Sequence, residues 1–229
     1  MLLAGVALAG DTVPGYRWVA AVLSAMAVAW AAHSHHTRAL SRERSRADTD
    51  PLTRALSRSA FHELLERHHA RALNGGHPAA VLLADVDRFK RINDRYRHVT
   101  GDRVLKEIVA RLESHARPGD VVGRWGGDEL IVLAPGVDRL ESATELGERL
   151  RRAVYAETFE TDAGPIRVTL SIGASLLDGR TSPEETVDQA DQALYRAKRR
   201  RNTVVGVQPV RPQQRVPLGQ PALVSGRAR

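Results

Sequence analysis

The chain has 229 residues, contains no cysteine and carries a formal charge of +7. This length allows one ordinary domain with extensions, and the lack of cysteine excludes disulfide frameworks, cysteine-based zinc sites and thiol nucleophiles. The positive charge could indicate a polyanionic partner. However, it is concentrated in 38–46, 198–201 and 211–229, with few aromatic residues for base stacking. We therefore expect no nucleic-acid binding.

The N-terminal 36 residues are predicted to anchor the chain in a membrane. Residues 18–32 are apolar throughout, and as a helix they are somewhat short for a hydrocarbon core of about 30 Å. Arginines follow at 38, 42, 44 and 46, so the positive-inside rule places the downstream chain in the cytoplasm, at the inner membrane. The alternatives are a cleaved signal peptide, which is opposed by the absence of a basic n-region, and a buried helix of a soluble protein.

Beyond Asp50 the pattern alternates between helix and strand. The amphipathic stretch 52–73 predicts a helix with Asp50 as an N-cap-like start and Asn74-Gly75-Gly76 as its stop. The apolar run 79–84 is typical of a short buried strand, and it ends at Asp85-Val86-Asp87.

The second half continues the alternation. Strands 120–133 are expected to meet at Gly126-Gly127, a dipeptide favoured in tight hairpins. Because the strands outnumber simple parallel crossovers, we expect an α+β fold with an antiparallel or mixed sheet flanked by helices. The remaining predicted elements are helix 104–115, helix 140–155, strand 166–174, helix 183–199 and strand 203–207.

These patterns divide the chain into four segments. Residues 1–36 are the predicted membrane anchor, and the polar residues 37–49 are a connecting helix or linker. Residues 50–207 form the folded domain. Residues 208–229 are rich in Pro, Gln, Arg and Gly and are predicted to be a disordered tail.

Acidic residues stand where the predicted strands end or turn. Asp85 and Asp87 follow the apolar run, and Asp128 and Glu129 follow the double glycine. Carboxylate oxygens at strand ends suit Mg²⁺ and leave open positions for phosphate oxygens, as nucleotidyl transfer requires. On spacing alone, an ordinary hairpin turn and an ordinary strand exit explain these acids equally well.

The residues around the acids resemble a known family. Arg124–Leu130 (RWGGDEL) is similar to the signature of the GGDEF family of diguanylate cyclases. The resemblance covers 50–207 and implies a palm-like fold, with a central, mainly antiparallel sheet flanked by helices. Further motifs match in order and spacing: Asp50–Thr53 (DPLT), Asp85–Asp94 (DVDRFKRIND), His98 with Gly101-Asp102, Ser171–Gly173 (SIG) and Ala190–Lys198 (ADQALYRAK).

The resemblance also implies roles for individual residues. Asp85 and Asp128 bind a divalent cation, Mg²⁺ or Mn²⁺, through their carboxylates, and Val86 binds it through its carbonyl. Glu129 assists metal binding or deprotonates the attacking 3′-hydroxyl, so Asp128 and Glu129 are the implied catalytic residues. The implied substrate-binding residues are Asn93 and Asp102 for guanine, and Phe89, Lys90, Gly126, Gly127, Lys198 and an arginine such as Arg201 for phosphate.

The implied reaction joins two GTP molecules into cyclic di-GMP and two pyrophosphates. Each active site holds one GTP, so two copies of the domain must face each other as a homodimer. Arg117-Pro118-Gly119-Asp120 matches the family's RxxD inhibitory site, where bound product is expected to bridge to Arg124 or to a second domain. Because Pro-Gly is also a strong type II turn signal, a plain turn is the alternative.

Four departures from the family pattern keep a second function open. Leu130 replaces a phenylalanine of the signature, Arg54 and Arg97 stand where the family usually has glycine, and Arg201-Asn202 is a shortened form of its Gly-Arg-Asn. Arginine disfavours some φ values that glycine adopts readily. The alternative is therefore a domain that binds GTP or cyclic di-GMP as a receptor without turnover.

Overall fold

The computed structural model describes residue 26 and residues 48–162 and 164–207. Within these residues, no helix combines the length and the apolar character needed to cross a membrane. The predicted membrane helix at 18–32 lies outside the described residues except for Met26, as do most of the connecting segment and the tail from 208. Those predictions stay predictions.

Helices and strands alternate along the described domain. They are α1 (Arg58–Leu73), β1 (Ala79–Val86), α2 (Phe89–His115), β2 (Val121–Arg124), β3 (Glu129–Pro135), α3 (Leu140–Ala156), β4 (Leu170–Leu177), α4 (Pro183–Arg200) and β5 (Val204–Gly206).

The strands form one sheet in the order β2-β3-β1-β4-β5. Strand β1 pairs antiparallel with both β3 and β4, and β2 pairs antiparallel with β3. Among the strands of the described residues, only β5 runs parallel to its neighbour, β4. The predicted α+β fold with a mainly antiparallel sheet is confirmed, and the parallel edge strand makes the sheet mixed.

Strand β1 is the centre of the core, because both of its faces are covered. Successive side chains of a strand point to opposite faces. On one face Leu82 and Ala84 join a cluster with α2 and α3, and on the other Val81 and Leu83 join a cluster with α1 and α4. The acids at the end of β1 therefore project from a rigid, buried element.

The first helix begins later than the sequence predicts. Ser57 is its N-cap, since its hydroxyl accepts a hydrogen bond from the backbone N–H of Ala60 at 3.3 Å. Asp50 instead stabilises a separate turn, in which its carboxylate accepts hydrogen bonds from the N–H and the hydroxyl of Thr53, both at 2.8 Å. Asp50 and Ser57 are both good capping residues, and the sequence-based prediction chose the wrong one.

The second helix is longer than predicted and has a break. It extends over Phe89–His115, whereas the sequence predicted only its C-terminal half. The two helical pieces meet at Arg97, which has φ 70° and ψ 160°. This break positions the side chains of both pieces around one corner of the domain.

Candidate active site

The sheet brings together the acids that the sequence singled out. Asp85 of β1 lies directly opposite Glu129 of β3 in the antiparallel register. The N–H of Val86 donates to the carbonyl of Asp128 at 3.2 Å, which holds Asp128 beside the same strand end. Three carboxylates therefore share one edge of the sheet, as predicted.

A lysine neutralises part of this negative charge. The Nζ of Lys198 lies 2.8 Å from Oδ2 of Asp85, whose side chain is only 13% exposed. Burial raises the pKa of Asp85, the Lys198 ammonium lowers it, and the charges of Asp128 and Glu129 raise it again, with a net increase. Burial alone lowers the pKa of Lys198, but its hydrogen bond to Asp85 and the nearby carboxylates outweigh this effect and raise the pKa. The site is therefore built to hold positive charge.

The donor set fits a divalent cation. Asp85, Asp128 and Glu129 supply hard carboxylate oxygens, and the carbonyl of Val86 is the neighbouring backbone acceptor on β1. Mg²⁺ and similar cations prefer such oxygens. In addition, the Lys198 ammonium forms an ion pair with the carboxylate of Asp85. The set therefore already binds one positive charge.

Arg124 holds the hairpin that carries Asp128 and Glu129. Its Nη1 donates to both carboxylate oxygens of Asp50 at 3.1 and 3.2 Å. Its Nη2 donates to the carbonyl of Gly127 at 2.7 Å, and its Nε donates to the carbonyl of Gly126 at 3.1 Å. The sequence pointed to both Asp50 and Arg124 through family motifs but missed this clamp. The predicted inhibitory role of Arg124 stays a prediction, and its guanidinium already has partners within the chain.

Gly126 allows the hairpin to close over Glu129. A Cβ at Gly126 would lie 2.9 Å from Oε2 of Glu129. The N–H groups of Trp125 and Gly126 both donate to the carbonyl of Glu129, at 2.9 and 3.2 Å. The tight turn thus holds the Glu129 carboxylate close to Gly126, on the residue that lies opposite Asp85 in the register.

The predicted guanine-binding residues lie on the two pieces of α2. The buried Oδ1 of Asn93 has no hydrogen-bond partner within the described residues. A Cβ at Gly101 would lie only 2.0 Å from this atom, so glycine allows the two pieces to approach. Asp102 follows Gly101 directly and is exposed. An acceptor that is buried without a partner costs free energy, and a ligand with N–H donors removes that cost.

The predicted phosphate-binding residues divide between two places. Phe89 and Lys90 lie in the first turn of α2, where backbone N–H groups lack helical partners and favour anions. Lys198 contacts Asp85, whereas Arg201 lines a separate cleft beside Arg88. The structure thus gives Lys198 and Arg201 different surroundings.

Asp87 has a structural role that the sequence did not reveal. It is 8% exposed, and its carboxylate accepts hydrogen bonds from Ser171 at 2.7 Å, from Thr169 at 2.6 Å and from the N–H of Asn202 at 2.9 Å. These bonds join the end of β1 to β4 and to the segment between α4 and β5. Of the two acids in Asp-Val-Asp, only Asp85 lies with Asp128 and Glu129, and these three residues are called the acidic cluster below.

The segment Arg117-Pro118-Gly119-Asp120 forms a turn. Asp120 donates its N–H to the carbonyl of Arg117 at 2.9 Å, and its carboxylate accepts from the N–H of Arg117 at 2.8 Å. Gly119 has φ 97°, in the range that a type II turn requires at its third residue. This geometry agrees with the turn signal, and the ligand role of the segment stays a prediction.

Comparison with known proteins identifies the family. The family model described as diguanylate cyclase, GGDEF domain, matches residues 47–203. The chain therefore belongs to the GGDEF domain family of diguanylate cyclases, and the resemblance seen in the sequence is confirmed.

Two curated relatives and one solved structure illustrate the similarity. Diguanylate cyclase DgcP of Pseudomonas aeruginosa is 42% identical over 167 residues, or 73% of this chain and 24% of DgcP. Diguanylate cyclase DgcM of Escherichia coli is 40% identical over 149 residues, or 65% of this chain and 35% of DgcM. The GGDEF domain of DgcB from Caulobacter crescentus, solved in complex with c-di-GMP, is 30% identical with a TM-score of 0.66, over 70% of this chain and 95% of that chain. The chain thus spans about a quarter to a third of the length of these two curated relatives.

Proposed function

We propose that this protein is a diguanylate cyclase that condenses two GTP molecules into cyclic di-GMP. In each half of the reaction the 3′-hydroxyl of one GTP attacks the α-phosphate of the other, a P–O bond forms, and pyrophosphate leaves. The observation that carries the proposal is the register of Asp85 opposite Glu129, with Asp128 adjacent. Family membership supports it.

The acidic cluster binds the catalytic cation in this proposal. Asp85, Asp128 and the carbonyl of Val86 would hold Mg²⁺ or Mn²⁺, which would supply positive charge for the phosphate oxygens and favour deprotonation of the attacking hydroxyl. Glu129 accepts the proton of that hydroxyl or joins the metal ligands. Lys198 releases Asp85 and transfers its hydrogen bonds to the terminal phosphates, where Lys90 also donates.

Asn93 and Asp102 select guanine. The Oδ1 of Asn93, which has no hydrogen-bond partner in the described part of the chain, and the exposed carboxylate of Asp102 are acceptors. Guanine offers N–H donors at its ring nitrogen and its exocyclic amine. Adenine has an acceptor at the corresponding ring nitrogen. A site built from acceptors therefore favours GTP over ATP.

Two copies of the chain are needed, because each site holds one GTP. We propose a homodimer with facing active sites, and product inhibition at the turn Arg117-Pro118-Gly119-Asp120, where Arg117 is exposed. The guanidinium suits the O6 and N7 acceptors of guanine, and the carboxylate suits its N–H donors. Arg117→Ala is expected to relieve inhibition by added cyclic di-GMP and to leave the initial rate near wild type. Equal inhibition of both proteins would leave the segment as a turn alone.

The N-terminal region places the enzyme at the inner membrane in this proposal. The apolar residues 18–32 and the arginines that follow support an anchor with the domain in the cytoplasm. A reporter fused after residue 36 is expected in the membrane fraction and on the cytoplasmic side. A full-length protein found wholly in the soluble fraction contradicts the anchor.

A receptor without turnover is the second candidate. It is favoured by Arg97 and Arg201, which have φ and ψ of 70° and 160° and of 59° and 165°. This region is essentially restricted to glycine. Both arginines lie in segments that the family uses for nucleotide binding, so strain there can lower turnover while binding persists.

Product analysis separates the two candidates. The purified full-length chain is incubated with GTP and Mg²⁺, and nucleotides are separated by chromatography and identified by mass. A cyclase produces cyclic di-GMP and two equivalents of pyrophosphate, and the Asp128→Asn variant produces neither. If the wild-type chain binds GTP but forms no product, the receptor is correct and the cyclase is wrong.

A further inference from the structure

Three exposed side chains of α1 and α4 meet at the surface of the domain. Within the described residues, one ligand atom each of His62, Glu66 and Glu184 lie within 4.8 Å of one another. The Nε2 of His62 is 3.5 Å from Oε1 of Glu184. These three residues, called the interhelical cluster below, therefore present one imidazole nitrogen and two carboxylate oxygens at one point.

The core beneath the interhelical cluster fixes the distance between the two helices. His62 and Glu66 are four residues apart on α1 and so share one face of that helix. The neighbouring Leu65 is buried and belongs to the same hydrophobic cluster as Ala190 and Leu194 of α4. Such interiors are densely packed. The three exposed side chains therefore project from a common rigid base.

Glu184 is prepared as an ionised ligand. It lies in the first turn of α4, where the hydroxyl of Ser182 accepts from the N–H of Glu185 at 3.1 Å and the Glu185 carboxylate accepts from the N–H of Ser182 at 3.0 Å. A hydrogen bond to its own backbone is the main cause of the lowered pKa of Glu184, and Ser182 and the charges of His62 and His69 add to it against the opposing effect of burial. A carboxylate must be ionised to bind a metal ion.

The two carboxylates of the interhelical cluster lie close together without a lysine or arginine beside them. In the part of the chain that the structure describes, neither Glu66 nor Glu184 pairs with a lysine or an arginine, whereas the nearby Glu63 pairs with Arg67. Like charges at this separation repel each other. A divalent cation between the two carboxylates would remove that repulsion and would take the nitrogen of His62 as a third ligand.

We propose that His62, Glu66 and Glu184 bind a divalent transition cation, with Zn²⁺ as the best fit, and that the bound cation joins α1 to α4. Imidazole nitrogen and carboxylate oxygen are both ordinary zinc ligands, at about 2.0 to 2.2 Å from the metal. Ligand atoms of a tetrahedral site with these bond lengths are about 3.4 Å apart, close to the 3.5 Å between His62 and Glu184. Exposed side chains close the remaining distance by small rotations, and a water molecule completes the four ligands.

This site differs in kind from the acidic cluster. Mg²⁺ prefers oxygen ligands alone, whereas a histidine nitrogen favours transition cations. His62 and Glu184 line a cleft of about 260 Å³ that also extends to Trp125 and Glu129, whereas Asp85 does not line it. The two proposed cation sites therefore share no ligand, although Glu129 lies in the wall of the same cleft.

Zinc titration of the full-length chain tests the site. The parent protein carries His33→Ala, His35→Ala and His36→Ala, so that these histidines near the N-terminus contribute no binding, and excess Mg²⁺ occupies sites that offer only oxygen. Competition with a chromophoric chelator measures the Zn²⁺ affinity. We expect one Zn²⁺ to bind per chain. His62→Ala and Glu184→Gln should each weaken its affinity at least about tenfold, because even the loss of a group that only supports a metal ligand has an effect of this size.

Two matched controls separate the site from general surface binding. Glu63→Gln changes an exposed glutamate of α1 that pairs with Arg67, and His77→Ala changes an exposed histidine outside the interhelical cluster. Both variants should bind Zn²⁺ as the parent does. Thermal unfolding gives a second readout, since a cation that binds only the folded state raises the Tm. We expect Zn²⁺ to raise the Tm of the parent and of both controls, and not that of His62→Ala.

The outcomes are distinct. Absence of Zn²⁺ binding in the parent, or equal affinity in the parent, His62→Ala and Glu184→Gln, overturns the site. So does loss of binding in Asp128→Asn, because it would place the cation in the acidic cluster. Failure of the wild-type chain to make cyclic di-GMP would refute the cyclase and leave this measurement unaffected.

Discussion

The acidic cluster and the broken helix α2 are held in different ways. Asp85 and Glu129 are fixed by the antiparallel register of β1 and β3, and the turn between β2 and β3 is clamped by Arg124 and Asp50. Asn93 and Asp102 instead lie on two helical pieces that meet at a strained arginine. In this domain the proposed catalytic groups lie on the sheet, and the proposed guanine-binding groups lie on two helical pieces that meet at Arg97.

The largest expected effect is at the acidic cluster. Asp128→Asn is expected to reduce cyclic di-GMP synthesis at least about a thousandfold, because a ligand lost from a phosphoryl-transfer metal site costs several kcal/mol of transition-state stabilisation. Steady-state kinetics with thermal unfolding of the same samples measures it. The control is Asp138→Asn, an exposed acid after β3, which should leave the rate unchanged. Wild-type turnover in Asp128→Asn means that the metal site has been placed wrongly.

At the broken helix α2 we expect a smaller effect, on the preference for GTP over ATP. Asp102→Asn is expected to lower kcat/KM for GTP about a hundredfold, because guanine N–H donors are left poorly paired. Metal affinity should change little, since Asp102 is outside the acidic cluster. Kinetics with GTP and ATP at saturating Mg²⁺ measures the selectivity, and a titration of the GTP rate with Mg²⁺ measures the metal affinity. An unchanged preference for GTP would assign base recognition to other residues.

The clamp beneath the hairpin is the next test. Arg124→Gln is expected to destabilise the fold by about 2 kcal/mol, because it leaves the mostly buried Asp50 carboxylate and two turn carbonyls with fewer partners. Urea unfolding at pH 7 measures it. Arg103→Gln removes a more exposed pair with Asp162 and should cost less than about 0.5 kcal/mol. Equal losses in the two variants would show that the clamp does not support the hairpin.

A smaller effect of opposite sign is expected at the helix break. Arg97→Gly should stabilise the fold by about 1 kcal/mol, because relief of backbone strain exceeds the entropy that glycine adds to the unfolded chain. Arg95→Gly, within the preceding helical piece, should destabilise by about 1 kcal/mol. Urea unfolding compares them. If Arg97→Gly also destabilises, the arginine makes contacts that outweigh its strain.

The smallest effect is on acid stability. Burial by itself raises the pKa of Asp50, but hydrogen bonds from Thr53 and Arg124 outweigh it and hold the pKa below 3.8. The ionised Asp50 carboxylate therefore contributes its full stabilisation of the fold above its pKa in the unfolded chain. This contribution is lost as the pH falls through the lower pKa that Asp50 has in the folded protein. Urea unfolding between pH 5 and pH 2 should show a smaller loss of stability in Asp50→Asn than in wild type. If the free energy of unfolding falls equally with pH in the two proteins, Asp50 does not contribute to acid stability.

The sequence predicted the sheet and the position of the acids, because apolar runs and glycine turns are local signals. It could not choose between Asp50 and Ser57 as the helix N-cap, since the partner that keeps Asp50 in its turn is Arg124, far along the chain. The role of Asp87 was hidden for the same reason, because Ser171 lies on another strand.

The ion pair between Lys198 and Asp85 has a thermodynamic consequence. If the cation binds as proposed, the Lys198 ammonium is an internal counterion that must leave Asp85 before the cation can use both of its oxygens. Phosphates that attract Lys198 would then raise the affinity of the acidic cluster for the cation, and by reciprocity the cation would raise the affinity for phosphate by the same factor. In the proposed site, Lys198 would thus couple metal binding and nucleotide binding positively within a single subunit.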